Sequence, residues 1–166
     1  MDADYTRAYH KLDNLDPRSC LSRTGYVISY ANCPLIWSSK LQSIIALSTT
    51  EAEYIALSTA LRDVIYLLNL VEEFNEHGIK VPNNKAPTVT CRVFEDNVGA
   101  IELANDPKLR PRTKHLAVRL HHFRSYVLNK QIEINHVTTT NQIADIFTKP
   151  LPLDTFKYLR HLLSGW

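Results

Sequence analysis

Apolar residues recur at Leu57, Leu61, Val64, Leu68 and Val71, at spacings of four and three that trace one face of a long helix. The pattern predicts a helix from about Thr50 to Phe74. Ser48 or Thr50 can cap its start, and Glu51 or Glu53 can complete a capping box three residues on. Glu53 lies one turn before Leu57 and falls on the buried stripe. Glu51 lines up instead with Ile55, Ser58 and Arg62 on another face. A carboxylate aimed at a core costs several kcal/mol unless a metal or a buried partner compensates it. The plainer alternative is that the stripe frays at its first turn and Glu53 merely caps.

Period-two patterning places the strands. Met1–Tyr5 reads as the tail of a strand, and Gly25–Tyr30 as a strand rich in aromatic and β-branched residues. Ala31–Pro34 reads as a turn, after which Leu35–Lys40 returns antiparallel and runs on through Ile44, Ile45 and Ala46. Thr88–Phe94 and Ile132–Val137 complete the strands. Further helices are expected over Val98–Ala104, His115–Asn129, Asn141–Thr148 and Leu153–Leu163. This order predicts an α/β fold with a mixed sheet, antiparallel at one side, parallel at the other, and flanked by helices.

At 166 residues the chain suits one domain over 1–166, long enough to bury about two-thirds of its unfolded surface. A net charge of +2 neither demands nor excludes a nucleic-acid partner. Basic residues gather at Lys108–His115 and again at Arg119 and Arg124, a run that more often solvates a loop than binds phosphate. Cys20, Cys33 and Cys91 are widely spaced with no CxxC, which argues against a zinc knuckle or disulfide framework and fits a reducing compartment. The first residues form no apolar signal core. Apolar runs stay short of the ~20 residues a membrane span needs, so no membrane partner is expected.

Four acidic residues occupy places where sites collect in open α/β sheets, at strand ends and adjoining helix starts. Asp2 lies in the first strand, Glu53 in the first turn of the long helix, Asp96 just past Phe94, and Asp145 after the last strand. Each has a simpler alternative. Asp4 competes with Asp2, Asp96 or Asn97 can cap the next helix, and Asp145 with Lys149 at i,i+4 can form an exposed ion pair. Four converging carboxylates would repel one another without a cation. Mg²⁺, which takes oxygen ligands and bridges substrate phosphates, would make the set sensible.

The chain resembles the ribonuclease H domain of copia-type long-terminal-repeat retrotransposon polyproteins over nearly its whole length. The resemblance is carried by Asp2-Ala3-Asp4, Ser22–Val27, Ile36–Gln42, Ala46–Tyr54, Glu95-Asp96-Asn97, Arg112–His115 and Gln142–Pro152, in order and at compatible spacing. It implies a ribonuclease H-like, five-stranded mixed sheet and hydrolysis of the RNA strand of RNA–DNA hybrids during reverse transcription. Asp2, Glu53, Asp96 and Asp145 fall on the family's catalytic, metal-binding carboxylates. Two Mg²⁺ ions are implied as cofactors, with Mn²⁺ as substitute, and the products carry 5′-phosphate and 3′-hydroxyl ends. The implied partners are the hybrid and the reverse transcriptase domain of the same polyprotein. The implied location is the cytoplasm, virus-like particles included.

Two departures accompany the resemblance. Family members run several residues further back before the first aspartate, so the amino-terminal half of a central strand is expected to be missing. Cellular ribonucleases H often carry a mobile histidine shortly before the last aspartate, and Val137–Ala144 contains none. His136 is near but sits on a strand. His115, Arg119 and His122 share a helical face and are read as structural or surface residues. The competing function is a catalytically silent retroelement remnant of the same fold, acting as a scaffold or nucleic-acid-binding domain. A metal-dependent DNA nuclease of related fold uses fewer carboxylates.

Overall fold

Ser48 starts the longest element. Its side chain accepts from the Glu51 amide at 3.1 Å, and the Glu51 carboxylate reaches back to the Leu47 amide at 2.9 Å. These bonds satisfy amides that a helix start leaves unpaired. In the computed structural model, which describes residues 1–6, 17–79, 81, 89–105 and 121–165, helix α1 then spans Thr49–Glu76. Leu57, Leu61, Val64 and Leu68 are buried along it as the periodicity predicts. One 18-residue stretch of α1, at mean hydropathy 1.4, meets the length and composition of a membrane span although no uninterrupted apolar run in it is that long. Half of that stretch is buried inside the protein, where the helix packs on β-strands.

The strands are β1 (Asp2–Asp4), β2 (Arg23–Tyr30), β3 (Cys33–Leu41), β4 (Cys91–Glu95) and β5 (Ile132–His136). β1, β2 and β3 pair antiparallel in that order, and β4 pairs parallel with β5. The architecture is α/β with antiparallel and parallel parts, as expected. The five strands nevertheless fall into two hydrogen-bonded groups rather than one continuous sheet. The reason is the short β1, which reaches only Arg23–Gly25 on β2. A single bond, from the Met1 amino group to the Phe94 carbonyl at 3.0 Å, ties β1 to β4.

Other boundaries shift for local reasons. The β2–β3 turn is two residues, Ala31 and Asn32, both left-handed at φ 51° and 63°, the geometry that joins twisted strands tightly. β3 stops at Leu41 and does not run on to Ala46. Gln42 instead turns inward, where its amide nitrogen donates to Thr24 Oγ1 and the Ala52 carbonyl. α2 covers Val98–Asn105 and α4 Leu153–Ser164, close to expectation. Of the helix expected over His115–Asn129, a 3-10 turn at His121–Phe123 and a short α3 at Arg124–Leu128 are described. His115, Arg119 and the basic run at Lys108–His115 lie outside the described residues. The helix expected at Asn141–Thr148 is a pair of 3-10 turns, Thr139–Asn141 and Ile143–Phe147, closed by i→i−3 bonds such as Asp145 N–H to Gln142 O.

The core gathers the buried stripe of α1 with Val93, Ile132, Phe123 and Tyr54, the last two rings meeting at 5.9 Å. This packing fixes the start of α1 against β1 and the carboxyl end of β4, where the acidic residues lie.

Candidate metal centre

Asp2, Glu53 and Asp96 converge. Each offers a carboxylate oxygen, and these atoms all lie within 4.8 Å of one another. Asp2 and Glu53 are buried, and Asp96 is half-buried at the mouth of the group. Asp4 lies outside it.

Glu53 owes its place to the capping at Ser48. That cap uses Glu51, so Glu53 is released from any capping role and projects inward from the first turn. One of its oxygens, Oε2, is buried without a hydrogen-bond partner. Burial, then repulsion from Glu95, Asp2 and Asp96, pushes its carboxyl up to about 10. Asp96 follows the last residue of β4. The cap of α2 belongs to its neighbour: Asn97 Oδ1 accepts from the Ala100 amide at 3.0 Å. Asp96 is thereby free of the capping role that competed for it.

Glu95 was not anticipated. It is fully buried, accepts from the Asn97 amide at 2.9 Å through Oε1, and leaves Oε2 without a partner. Burial raises its carboxyl to about 8, with the Asn97 bond and the Met1 ammonium opposing. The signal lay in the strand period: Val93 and Glu95 share the inward face of β4.

Asp145 is not one of the three grouped carboxylates but lies against one of them, Asp2. The 3-10 turn Ile143–Phe147 brings it beside Asp2 because Gly25, opposite Asp2 in the β1–β2 ladder, lets that turn settle onto β2. A Cβ on Gly25 would stand 2.5 Å from Thr148 Cγ2 and 2.9 Å from Phe147 Cβ. Thr148 Oγ1 in turn donates to Asp2 Oδ2. Lys149 Nζ lies 2.8 Å from Asp145 Oδ1 and 3.9 Å from Asp2 Oδ2. The Asp145–Lys149 pair is therefore mostly buried, not the solvent-exposed pair that the spacing allowed. Burial raises the Asp145 carboxyl to about 6, with Lys149 opposing. Gly25→Ala is expected to lower stability by ~1–3 kcal/mol through overpacking, a fall in Tm of roughly 2–4 °C for each kcal/mol. Thermal unfolding checks this, and an unchanged Tm would mean that the turn does not bear on Gly25.

The donors suit a hard divalent cation. All are oxygens, they come from three separate elements, and Glu53 aims an unpartnered buried oxygen into the group. Ionising Glu53 in the fold is costly unless a positive charge meets it, which is why its carboxyl is pushed up to about 10.

The chain is 34% identical over 143 residues to the "Retrovirus-related Pol polyprotein from transposon TNT 1-94" of Nicotiana tabacum, a match covering 86% of the chain and 10% of that relative. It is 33% identical over 142 residues to the corresponding polyprotein of transposon RE1 from Arabidopsis thaliana, covering 86% of the chain and 9% of the relative. A Ty1-DR1 Gag-Pol polyprotein of Saccharomyces cerevisiae is 37% identical over 120 residues, covering 70% of the chain and 6% of the relative. Its homologues are transposon Pol polyproteins. The chain is thus a retroelement-derived segment that spans about a tenth or less of these relatives. No family model matches the chain. No solved structure matches it.

Proposed function

We propose that this Pol segment is a ribonuclease H domain, a divalent-cation-dependent endonuclease that cuts the RNA strand of RNA–DNA hybrids. The observation that carries the reading is the convergence of Asp2, Glu53 and Asp96 within 4.8 Å, with a buried, unpartnered Glu53 oxygen inside the group. The Pol homology supplies the context, since reverse transcription generates hybrids.

Bound divalent cations supply Lewis acidity and a lowered pKa for attacking water. Asp2 and Glu53, fixed by β1 and by the capped start of α1, would hold the cations from the protein side. Asp96, the most exposed of the three, would face the substrate phosphate. Asp145, which lies on the other side of Asp2 and is paired with Lys149, would be the fourth carboxylate available to hold a cation there. Thr148 steadies Asp2 through its hydroxyl. Recognition would rest on hybrid shape, RNA 2′-hydroxyls and backbone phosphates, and so weaken with salt. The reverse transcriptase domain of the same polyprotein would present the hybrid.

A second reading has one observation in its favour. Asp145 is engaged by Lys149 and is not in the three-carboxylate group, as a catalytically silent remnant that binds nucleic acid would tolerate. Labelled substrates separate the two. With Mg²⁺ or Mn²⁺, cutting of RNA in the hybrid, leaving 3′-hydroxyl ends and sparing duplex DNA and free RNA, supports the nuclease. Binding without cutting by a cooperatively folded protein supports the remnant.

A further inference from the structure

β4 ends at Glu95 and α2 begins at Val98, so Asp96 is carried on a link of two residues, Asp96 and Asn97. Both ends of the link are fixed. The Val137 amide donates to the Glu95 carbonyl at 3.0 Å, which extends the β4–β5 pairing to the last residue of β4. The Ala100 and Ile101 amides donate to the Asn97 carbonyl, each at 3.1 Å, and start α2. Gly99 seats that first turn of α2 on the start of α1, where an added Cβ would stand 2.9 Å from Thr50 Oγ1. Across the link runs a side-chain bond: the Asn97 amide donates to Glu95 Oε1 at 2.9 Å.

The need for that bond follows from how α2 is capped. Asn97 caps it, with Oδ1 on the Ala100 amide. In a reciprocal cap a Glu or Gln at the third helical position reaches back to the amide of the cap residue. Here that position is Ala100, whose side chain has no acceptor. Glu95 supplies the missing acceptor from the strand side. It is fully buried, on the same face of β4 as Val93, where an apolar residue would pack more cheaply but could not meet the Asn97 amide.

We propose that Glu95 is a positioning residue: its bond to the Asn97 amide shapes the β4–α2 link so that Asp96 stays with Asp2 and Glu53. The inference rests on the cation-site reading of those three carboxylates. Glu95 is not one of the three grouped residues, so it acts through Asp96 and not as a ligand. What it contributes is an acceptor oxygen in a set place, and its charge is incidental to that. Hydrogen bonds that orient the ligands of a metal are typically worth about 10–100-fold in metal affinity.

Glu95→Gln and Glu95→Met separate the bond from the charge. Both replacements match glutamate in length and are neutral, but only glutamine can accept from the Asn97 amide. Mn²⁺ is titrated calorimetrically into the full chain and each variant, with no nucleic acid present. Glu95→Met is expected to bind it ~10–100-fold more weakly than Glu95→Gln. Hydrogen exchange at the Asn97 amide should be at least ~10-fold faster in Glu95→Met than in Glu95→Gln. A purely structural Glu95 would move the melting temperature and leave the two Mn²⁺ affinities alike. Equal affinities would overturn the proposal. Both near the parent's would mean that Asp96 keeps its place without the bond, and both weakened alike would make the charge of Glu95 the active feature. Equal exchange at Asn97 would also overturn it. A parent chain with no affinity for Mn²⁺ would overturn the cation-site reading, and this inference with it.

Discussion

Asp96→Asn is expected to reduce hybrid cleavage by at least ~10³-fold while leaving the melting temperature within a degree or two. The two halves of this expectation have separate causes. Asparagine keeps the shape of the side chain but loses the negative charge that a hard cation selects. Asp96 is half-buried rather than core, and the cap of α2 rests on Asn97, so the fold loses little. Asn97→Ala makes the reciprocal control. It removes the cap and should cost ~1 kcal/mol of stability, yet retain cleavage in protein that is still folded. If Asp96→Asn cuts hybrids as well as the parent chain, the three-carboxylate group is not the catalytic centre. If Asn97→Ala abolishes cleavage at full stability, the adjacent position has been misassigned.

Much of the site was legible because single-residue periodicity is a strong signal in a long helix. The run Leu57, Leu61, Val64, Leu68 fixes a face, and Glu53 on that face is an anomaly that asks for a cation. What decided between anomaly and cap was a bond pattern, Ser48 with Glu51, which the sequence left open between two serine or threonine caps and two glutamates. Glu95 is marked only by the strand period, whereas Asp96 is marked by its place just past the strand. Lys149 was visible as an i,i+4 partner of Asp145, but its approach to Asp2 depends on the turn seated over Gly25, a contact between residues far apart in sequence. The short first strand was expected from the resemblance, but the division of the strands into two groups was not. It follows from how far a three-residue β1 extends along β2, a tertiary register that local patterns do not encode.

In chelator, the chain should lose stability as pH rises, with Tm falling on the order of 10 °C between about pH 5.5 and 8.5. Glu53 and Glu95 are pushed up to about 10 and about 8 from an ordinary 4.5, chiefly by burial. A carboxyl whose pKa rises on folding holds its proton more tightly in the folded state. Its stabilising contribution is complete below about pH 4.5 and is lost as pH climbs through the folded values. Asp145, raised to about 6, acts in the same direction over a lower window. The Met1 ammonium and His122, both lowered by burial, work the other way and blunt the fall. Millimolar Mg²⁺ or Mn²⁺ should restore the melting temperature at pH 8.5 and change it little at pH 5.5, because protons and cation compete for one group of oxygens. Glu53→Gln separates this account from general acid–base effects on the fold. The amide is nearly isosteric and carries no charge, so the variant should melt higher than the parent chain at pH 8.5 in chelator. It should also show a flatter pH profile and a weaker response to the cation, and it should not cleave. A variant that is less stable at every pH would mean that Glu53 is a structural anion with a partner of its own. Higher stability with lost function would instead place the cost of Glu53 where a cation-binding site requires it, in the folded protein before the cation arrives.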